Sequence, residues 1–346
     1  MNRFFNLYSN CIPVKGSEES IIVDLQNTEH VNVPNLLLEV LKKTRTHTVS
    51  EIKNFFNNDL NEGIDNYFNY LVDIDYGFFL ENVESFPELN LEWHSPFKVN
   101  SAILEINEDC KYDFNAAIKE LSSLACFSIQ IRINNSDVDN IISGILDATR
   151  KSRIRNVEIF LPESLYDENY LKYLDDIENR IKTFVIHSVK DEVLTKDLHE
   201  NSKYYIDKKL IFTSKAINSS TVDNIKKENF IINMEFFTEA QQYNVALNRK
   251  VCIDNDGNFK NFLAHKSTHG NFRNKRIAEL IQDSEFTRKW FISNDNIEVC
   301  KDCQFRYICF NNSDIEFDGS SWKKINKCPF DPYTNEWKAE SKHSCK

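Results

Sequence analysis

Apolar residues fall in three different rhythms along this 346-residue chain. Up to about residue 90, short β-prone runs alternate with short amphipathic ones. Residues 4–8 and 20–25 are aromatic and β-branched runs around the turn Pro13-Val14-Lys15-Gly16, and they predict a hairpin. A helix starts at Asn32-Val33-Pro34, because proline's fixed φ and missing N–H suit a first helical turn; Leu36, Leu37, Val40 and Leu41 form its stripe. A second helix begins near Ser50-Glu51 and carries Ile52, Phe55 and Phe56. The third, from about Gly63 to Val72, presents Ile64, Tyr67, Phe68 and Leu71, and residues 76–80 read as a strand. Hairpin, three helices and strand make a winged-helix-like module over residues 1–95.

From 96 to about 240 the rhythm lengthens. Apolar runs at 102–106, 127–133, 157–161, 183–186 and 210–212 recur at a near-regular spacing, and helical patterns at 114–124, 138–148 and 171–181 lie between several of them. Strand–helix repetition of this period predicts a parallel sheet in the form of a partial (β/α) barrel, since five strands are too few for a complete eight-unit one. The fold class is therefore α/β. After 241 the texture changes again. Residues 250–254 and 259–262 flank Asn255-Asp256-Gly257-Asn258 as a hairpin, a helix follows near 275–283, and the tail is rich in cysteine and aromatic residues.

Composition narrows the chemistry. Seven glycines and no G-x-G-x-x-G or G-x-x-x-x-G-K-[ST] argue against the usual dinucleotide enzymes and ATPases. A formal net charge of −11 argues against nucleic-acid binding, which relies on lysine and arginine to displace counterions. No apolar run is long enough to span a bilayer, and the start carries no sustained signal-peptide core; a cytoplasmic protein with reduced thiols and no membrane partner is expected.

Of nine cysteines, four have ligand spacing: Cys300, Cys303, Cys309 and Cys328. Four convergent thiolates call for zinc, an iron–sulfur cluster or two disulfides. In a reducing compartment metal is favoured, and Lys301, Arg306, Lys323, Lys324 and Lys327 are near enough in sequence to offset its negative charge. Four protein ligands leave no open position, so the site reads as structural. Cys11, Cys110, Cys126 and Cys252 read as core thiols and Cys345 as exposed, while His265 and His269 read as solvated loop histidines. No triad or paired-carboxylate arrangement stands out.

The tail, with Cys300-x2-Cys303-x5-Cys309 and then Cys328, resembles a SPASM domain, and Asn255-x-Gly257 with Gly270-Asn271 resembles the hairpin and turn that precede its cysteines. More narrowly, residues 299–309 with Cys328-Pro329-Phe330-Asp331-Pro332-Tyr333 and Trp337, together with 13–16 and 23–26, are similar to the SPASM maturases of grasp-with-spasm peptide systems. The likeness implies one 4Fe–4S cluster (zinc being the alternative) held by Cys300, Cys303, Cys309 and Cys328. It implies a precursor peptide and an ATP-grasp ligase as partners in a ribosomal-peptide maturation pathway. The N-terminal module resembles a PqqD-like recognition element, which implies a peptide strand added beside residues 21–25, with Ile21, Val23, Leu25, Tyr67 and Leu71 as its contacts.

Two departures qualify the likeness. Phe262 and Ser313 stand where the family's first auxiliary cluster has cysteines. The segment after the first barrel strand has Cys110 alone where radical chemistry needs Cys-x3-Cys-x2-Cys, so no S-adenosylmethionine is expected. The chain is thus expected to be a non-radical accessory protein. The alternative is an enzyme that uses its one remaining cluster.

Overall fold

The computed structural model describes residues 3–82, 86–175, 180–190, 196–197, 208–222 and 225–338. Its N-terminal part comprises β1 (Phe4–Leu7), β2 (Cys11–Val14), β3 (Glu19–Asp24), β4 (Glu29–Pro34), α1 (Asn35–Leu41), α2 (Val49–Phe55), α3 (Asn61–Asp73) and β5 (Gly77–Leu80). Pro34 caps α1, and a capping box between Thr48 and Glu51 starts α2, so local chemistry sets both helix starts.

The hairpin differs from the one the sequence suggests. Residues 4–7 pair with β5, and the partners of β3 are β2 and β4. Phe5 accounts for this. Its ring stacks on Phe68 of α3 at 4.1 Å and meets Phe79 edge-on at 5.5 Å, so β1 is drawn into the helical core. Gly77 permits the pairing, because a Cβ there would sit 2.5 Å from the Phe5 ring. Residues 32–34, read from sequence as the start of a helix, belong instead to strand Glu29–Pro34, whose Val31 and Val33 face that core while His30 and Asn32 take the other side.

The middle of the chain builds β6 (Ser101–Asn107), α4 (Phe114–Ser123), β7 (Ser128–Asn134), α5 (Val138–Thr149), β8 (Asn156–Pro162), α6 (Lys172–Asp175), β9 (Ile181–His187), β10 (Lys196–Asp197), β11 (Lys209–Thr213) and α7 (Met234–Ala240). These strands join β12 (Lys250–Ile253) and β13 (Phe259–Lys260) in an eight-stranded sheet of order β10-β11-β9-β8-β7-β6-β12-β13. Every neighbour from β11 to β12 is parallel, and β10 and β13 add antiparallel ends. The architecture is mixed α/β around a large, mainly parallel sheet with two free ends. Ile129, Ile131, Ile133, Val157, Ile159 and Leu161 bury one face of it together with Ile118 and Leu121 of α4 and Ile142 and Ile145 of α5.

Two boundaries move. The hairpin β12–β13, placed by sequence in a unit starting at 241, extends the central sheet through β12 and β6. The helical pattern assigned to 171–181 gives α6 at 172–175 and a strand already begun at Ile181, with residues 176–179 outside those described. Ile181 and Phe184 are apolar at helical spacing, but both are fully buried in the sheet, and burial outweighs local periodicity.

The C-terminal part carries two single-turn helices, α8 (Ile277–Leu280) and α9 (Ser284–Thr287), and two small hairpins. These are β14 (Ile315–Phe317) with β15 (Trp322–Lys324), and β16 (Phe330–Asp331) with β17 (Glu336–Trp337). This tail packs on the N-terminal sheet. Ile21, Val23, Leu25 and Val14 share one core with Phe237, Phe305, Ile308 and Phe330, whereas Ile22 on the other face belongs to the helical core. The β2–β3 turn is fastened to it: Ser17 N–H donates to Asp302 O at 2.8 Å and Asn335 Nδ2 to Glu19 Oε2 at 2.7 Å. Gly16 lies so close that a Cβ would collide with Glu19 O and meet Gln304 at 2.8 Å. No helix among the described residues is long and apolar enough to cross a membrane.

Candidate functional site: four thiols and an open strand edge

Cys300 opens a single 3-10 turn, Cys300–Asp302, which Cys303 closes by donating its N–H to Cys300 O at 3.0 Å. Val299, just before it, has φ 69°. A β-branched residue in the left-handed region costs of order 1–3 kcal/mol and persists where its surroundings fix it. Phe305 N–H donates to Cys303 Sγ at 3.4 Å, and the backbone N–H of Phe330 plays the same part for Cys328. Both donors lie two residues after their cysteine, an arrangement that favours charge on sulfur.

The four thiols lie near enough to one another to couple electrostatically. Cys303 lies within electrostatic reach of Cys309, Cys300 and Cys328, and Cys309 within reach of Cys300 and Cys328. Burial pushes every one of them up, Cys309 to about 12, and neighbouring thiolates add to the shift at Cys300, Cys303 and Cys309. Lys324, carried in by β15, is the cation that opposes this at Cys300, Cys309 and Cys328. Around the thiols stands an aromatic wall: Phe305 lies 5.0 Å from Phe330 and 4.8 Å from Phe230, and Phe330 lies 5.1 Å from Trp337. In this desolvated setting the thiols stay protonated unless a metal compensates for their charge. Among the described residues, no three His, Cys, Asp or Glu side chains are arranged as a ready metal site. The donor set itself, four thiols with two N–H groups aimed at sulfur, suits a thiolate-bound centre.

The peptide-contact residues expected from sequence are dispersed. Strand β3 is the middle strand of its sheet, so residues 21–25 offer no free edge, which corrects that expectation. Ile21 and Val23 are fully buried and Leu25 is 7% exposed, all three against the tail. Leu71 is buried in the helical core, and Tyr67 alone of the five is exposed. Among the described residues the free edges belong to β2 and β4. Leu25 N–H donates to Asn10 O, so the odd-numbered positions of β3 bond toward β2 and the even-numbered toward β4. On β2 the outward positions are then Cys11, whose N–H is bonded to Tyr8 O, and Pro13, which has none; that edge is blunted. On β4 the outward positions are His30 and Asn32. The His30 ring stands 5.7 Å from Phe305 and 6.1 Å from Phe230, so the edge adjoins the aromatic wall of the thiols. The alternation in Glu29-His30-Val31-Asn32-Val33 was a period-two signal for this strand, masked by the helix signal of Pro34.

Cys11, Cys126 and Cys252 are buried core thiols, Cys110 is half-buried, and Cys345 lies outside the described residues. His265 corrects the expectation of a solvated loop: it is 2% exposed, with Nε2 3.0 Å from Asn312 O and Nδ1 3.4 Å from Asp314 Oδ1. His269 is half-buried, its ring edge-on to Phe286. Lys289 takes the Asp314 carboxylate. Phe262 and Ser313, also buried, complete a polar-and-aromatic plug between β13 and the tail. Burial holds His265 below its ordinary value of 6.5 against the opposing pull of Asp314. Its neutral form therefore contributes stability that is fully present above pH 6.5 and is lost as pH falls through the folded value. Thermal melts from pH 7 to 5 should show a steeper loss in the wild type than in His265→Gln, whose amide can still donate to Asn312 O. Equal slopes would remove His265 from the account.

No family model and no curated protein matches the chain. Solved structures similar to it are crystal structures of Streptococcus suis SuiB. SuiB bound to S-adenosylmethionine is 13% identical with a TM-score of 0.31, and the match covers 88% of this chain and 94% of that one. SuiB bound to precursor peptide SuiA is 11% identical, with the same coverage and TM-score. SuiB alone is 13% identical with a TM-score of 0.32. Likeness at this distance carries no argument about function.

Proposed function

We propose that the protein is an accessory factor of a ribosomally synthesised, post-translationally modified peptide pathway. It binds the precursor peptide as an added strand on β4 and presents it to an ATP-grasp ligase. The observation that carries this reading is the open edge of β4, with outward backbone groups at His30 and Asn32 beside an aromatic wall. Backbone pairing there supplies affinity, and pockets for alternate side chains supply selectivity. Tyr67, exposed on α3, remains a contact in this reading; Ile21, Val23, Leu25 and Leu71 support the sheet from within.

Cys300, Cys303, Cys309 and Cys328 would hold the metal centre, a 4Fe–4S cluster by family resemblance and zinc as the alternative. When bound, such a centre ties the segments of the tail together and stabilises them. The protein's own residues do the rest: Lys324 offsets negative charge, the Phe305 and Phe330 N–H groups stabilise sulfur, and the aromatic wall excludes water. Cys110, three residues after β6, is half-buried with its thiol pushed up by burial, and its segment 107–117 carries no second cysteine.

Isothermal calorimetry with the precursor peptide tests the recognition edge. Asn32→Pro deletes an outward N–H without touching the ladder to β3 and should weaken binding by about tenfold or more, with Asn32→Ala near wild type. Equal affinity for all three proteins would place the peptide elsewhere, and no binding by the wild type would sink the function. Anaerobic purification with iron, sulfide and zinc analysis should find one thiolate-bound centre per chain, absent from the Cys300→Ser/Cys303→Ser variant. Metal-free, folded protein would contradict the assignment.

A further inference from the structure

The cysteines of the tail come from two segments, and the side chains that join those segments also hold the N-terminal sheet. Cys300, Cys303 and Cys309 lie on one segment, and Cys328 lies on another that continues into the β16–β17 hairpin. Tyr333, in the turn of that hairpin, donates its hydroxyl to Asp302 Oδ2 at 2.7 Å. Gln304, the residue after Cys303, donates through Nε2 to Asn335 Oδ1 at 2.8 Å. Asp302 and Asn335 are the same residues that fasten the β2–β3 turn, through the Ser17 N–H and the Glu19 carboxylate. Arg306 adds a further tie from the first segment, donating to Cys303 O at 2.9 Å and to Lys15 O.

These contacts run in series to the recognition strand. Asn335 Nδ2 donates to Glu19 Oε2 at 2.7 Å, and the same oxygen accepts from Asn32 Nδ2 of β4 at 2.6 Å. Hydrogen bonds to a carboxylate are stronger than neutral ones, so Glu19 is a firm junction. It passes the hold to β4 through the β3–β4 ladder as well as through Asn32. Gln304 is 1% exposed, so its amide has no water to turn to when Asn335 withdraws, and a buried donor left unsatisfied is costly. Asn335 itself has φ 56°, a left-handed conformation that asparagine adopts more readily than most residues. The series therefore stays intact only while the two cysteine-bearing segments keep their places against each other. One ion shared by Cys300, Cys303, Cys309 and Cys328 would fix them there.

We propose that the thiol centre is a latch on the N-terminal sheet. Filled, it holds the two segments together, and Gln304, Asn335 and Glu19 carry that hold to β4. Emptied, it lets the segments part, the series breaks at Gln304, and the β2–β3 turn and the open edge of β4 loosen together. This rests on the reading of the four thiols as a metal centre, and it makes the order of the recognition strand depend on whether that centre is filled.

Hydrogen–deuterium exchange of the full chain tests it, on protein stripped of metal, kept reduced and then loaded with Zn²⁺ alone, which four thiolates accept. Zn²⁺ at one per chain should slow exchange of the Ser17 amide and of the ladder-bonded Val31 and Val33 amides by about fivefold or more, with Phe68 and Leu71 of α3 unchanged. Asn335→Gly keeps the left-handed backbone but removes the amide between Gln304 and Glu19; it should bind Zn²⁺ with the same stoichiometry and lose roughly half or more of the gain at Val31 and Val33. Glu19→Gln, whose amide oxygen still accepts, should respond as wild type does, and Glu19→Ala as Asn335→Gly does. Protein that takes up no Zn²⁺ would overturn the metal reading and the latch with it. Zn²⁺ bound without slower exchange in β4, or an equal gain in Asn335→Gly, would overturn the latch and leave the metal centre standing. If Asn335→Gly fails to fold, the two Glu19 variants decide: a smaller gain in Glu19→Ala than in Glu19→Gln supports the latch, and equal gains overturn it.

Discussion

Strand β3 is buried on both faces, and most of the structure depends on that constraint. Ile22 points into the core made by α1, α2 and α3, while Ile21 and Val23 point into the core made by the cysteine-bearing tail. A strand so enclosed cannot slip by one residue without exchanging the two sets of side chains. The N-terminal module and the C-terminal tail, which begin and end the chain, are therefore two sides of one small sheet. The Ser17–Asp302 and Glu19–Asn335 hydrogen bonds and the tight fit of Gly16 under Gln304 fix the turn at one end of it.

This geometry gives the thiol cluster a role beyond its own loop. The aromatic residues that enclose the sulfurs, Phe305 and Phe330, are the same ones that bury β3, and Phe305 also touches His30 on the open strand β4. Anything that orders the four cysteines thus also orders the sheet edge proposed to receive a peptide. At the other end of the tail a buried polar group of His265, Asp314 and Lys289 joins it to the central sheet without any thiolate. Such a group is costly to leave half-satisfied, which is why its protonation state matters to stability.

Much of this was legible in the sequence, and the parts that were not share a cause. The strand–helix period of the middle section and the three N-terminal helices follow from local patterns, and each has its counterpart in the structure. Long-range pairing does not follow from such patterns. Phe5 could have joined either hairpin, and only its stacking on Phe68, 63 positions later, decides between them. For the same reason β3 looked like an edge, β12 looked like the start of a new unit, and His265 looked solvated. Their surroundings come from residues far away in the chain, such as the tail around β3, β6 beside β12, and Asn312 and Asp314 around His265.

Hydrogen–deuterium exchange on Phe305→Ala tests the central claim most directly, since that change empties the tail side of the shared core without altering the N-terminal module. The account predicts faster exchange not only in the tail but also at the Ile21, Val23 and Leu25 amides of β3, with Phe68 and Leu71 of α3 remaining protected. Exchange that rises in the tail while the β3 amides keep their wild-type protection would show that the sheet stands without the tail, and the account would fail.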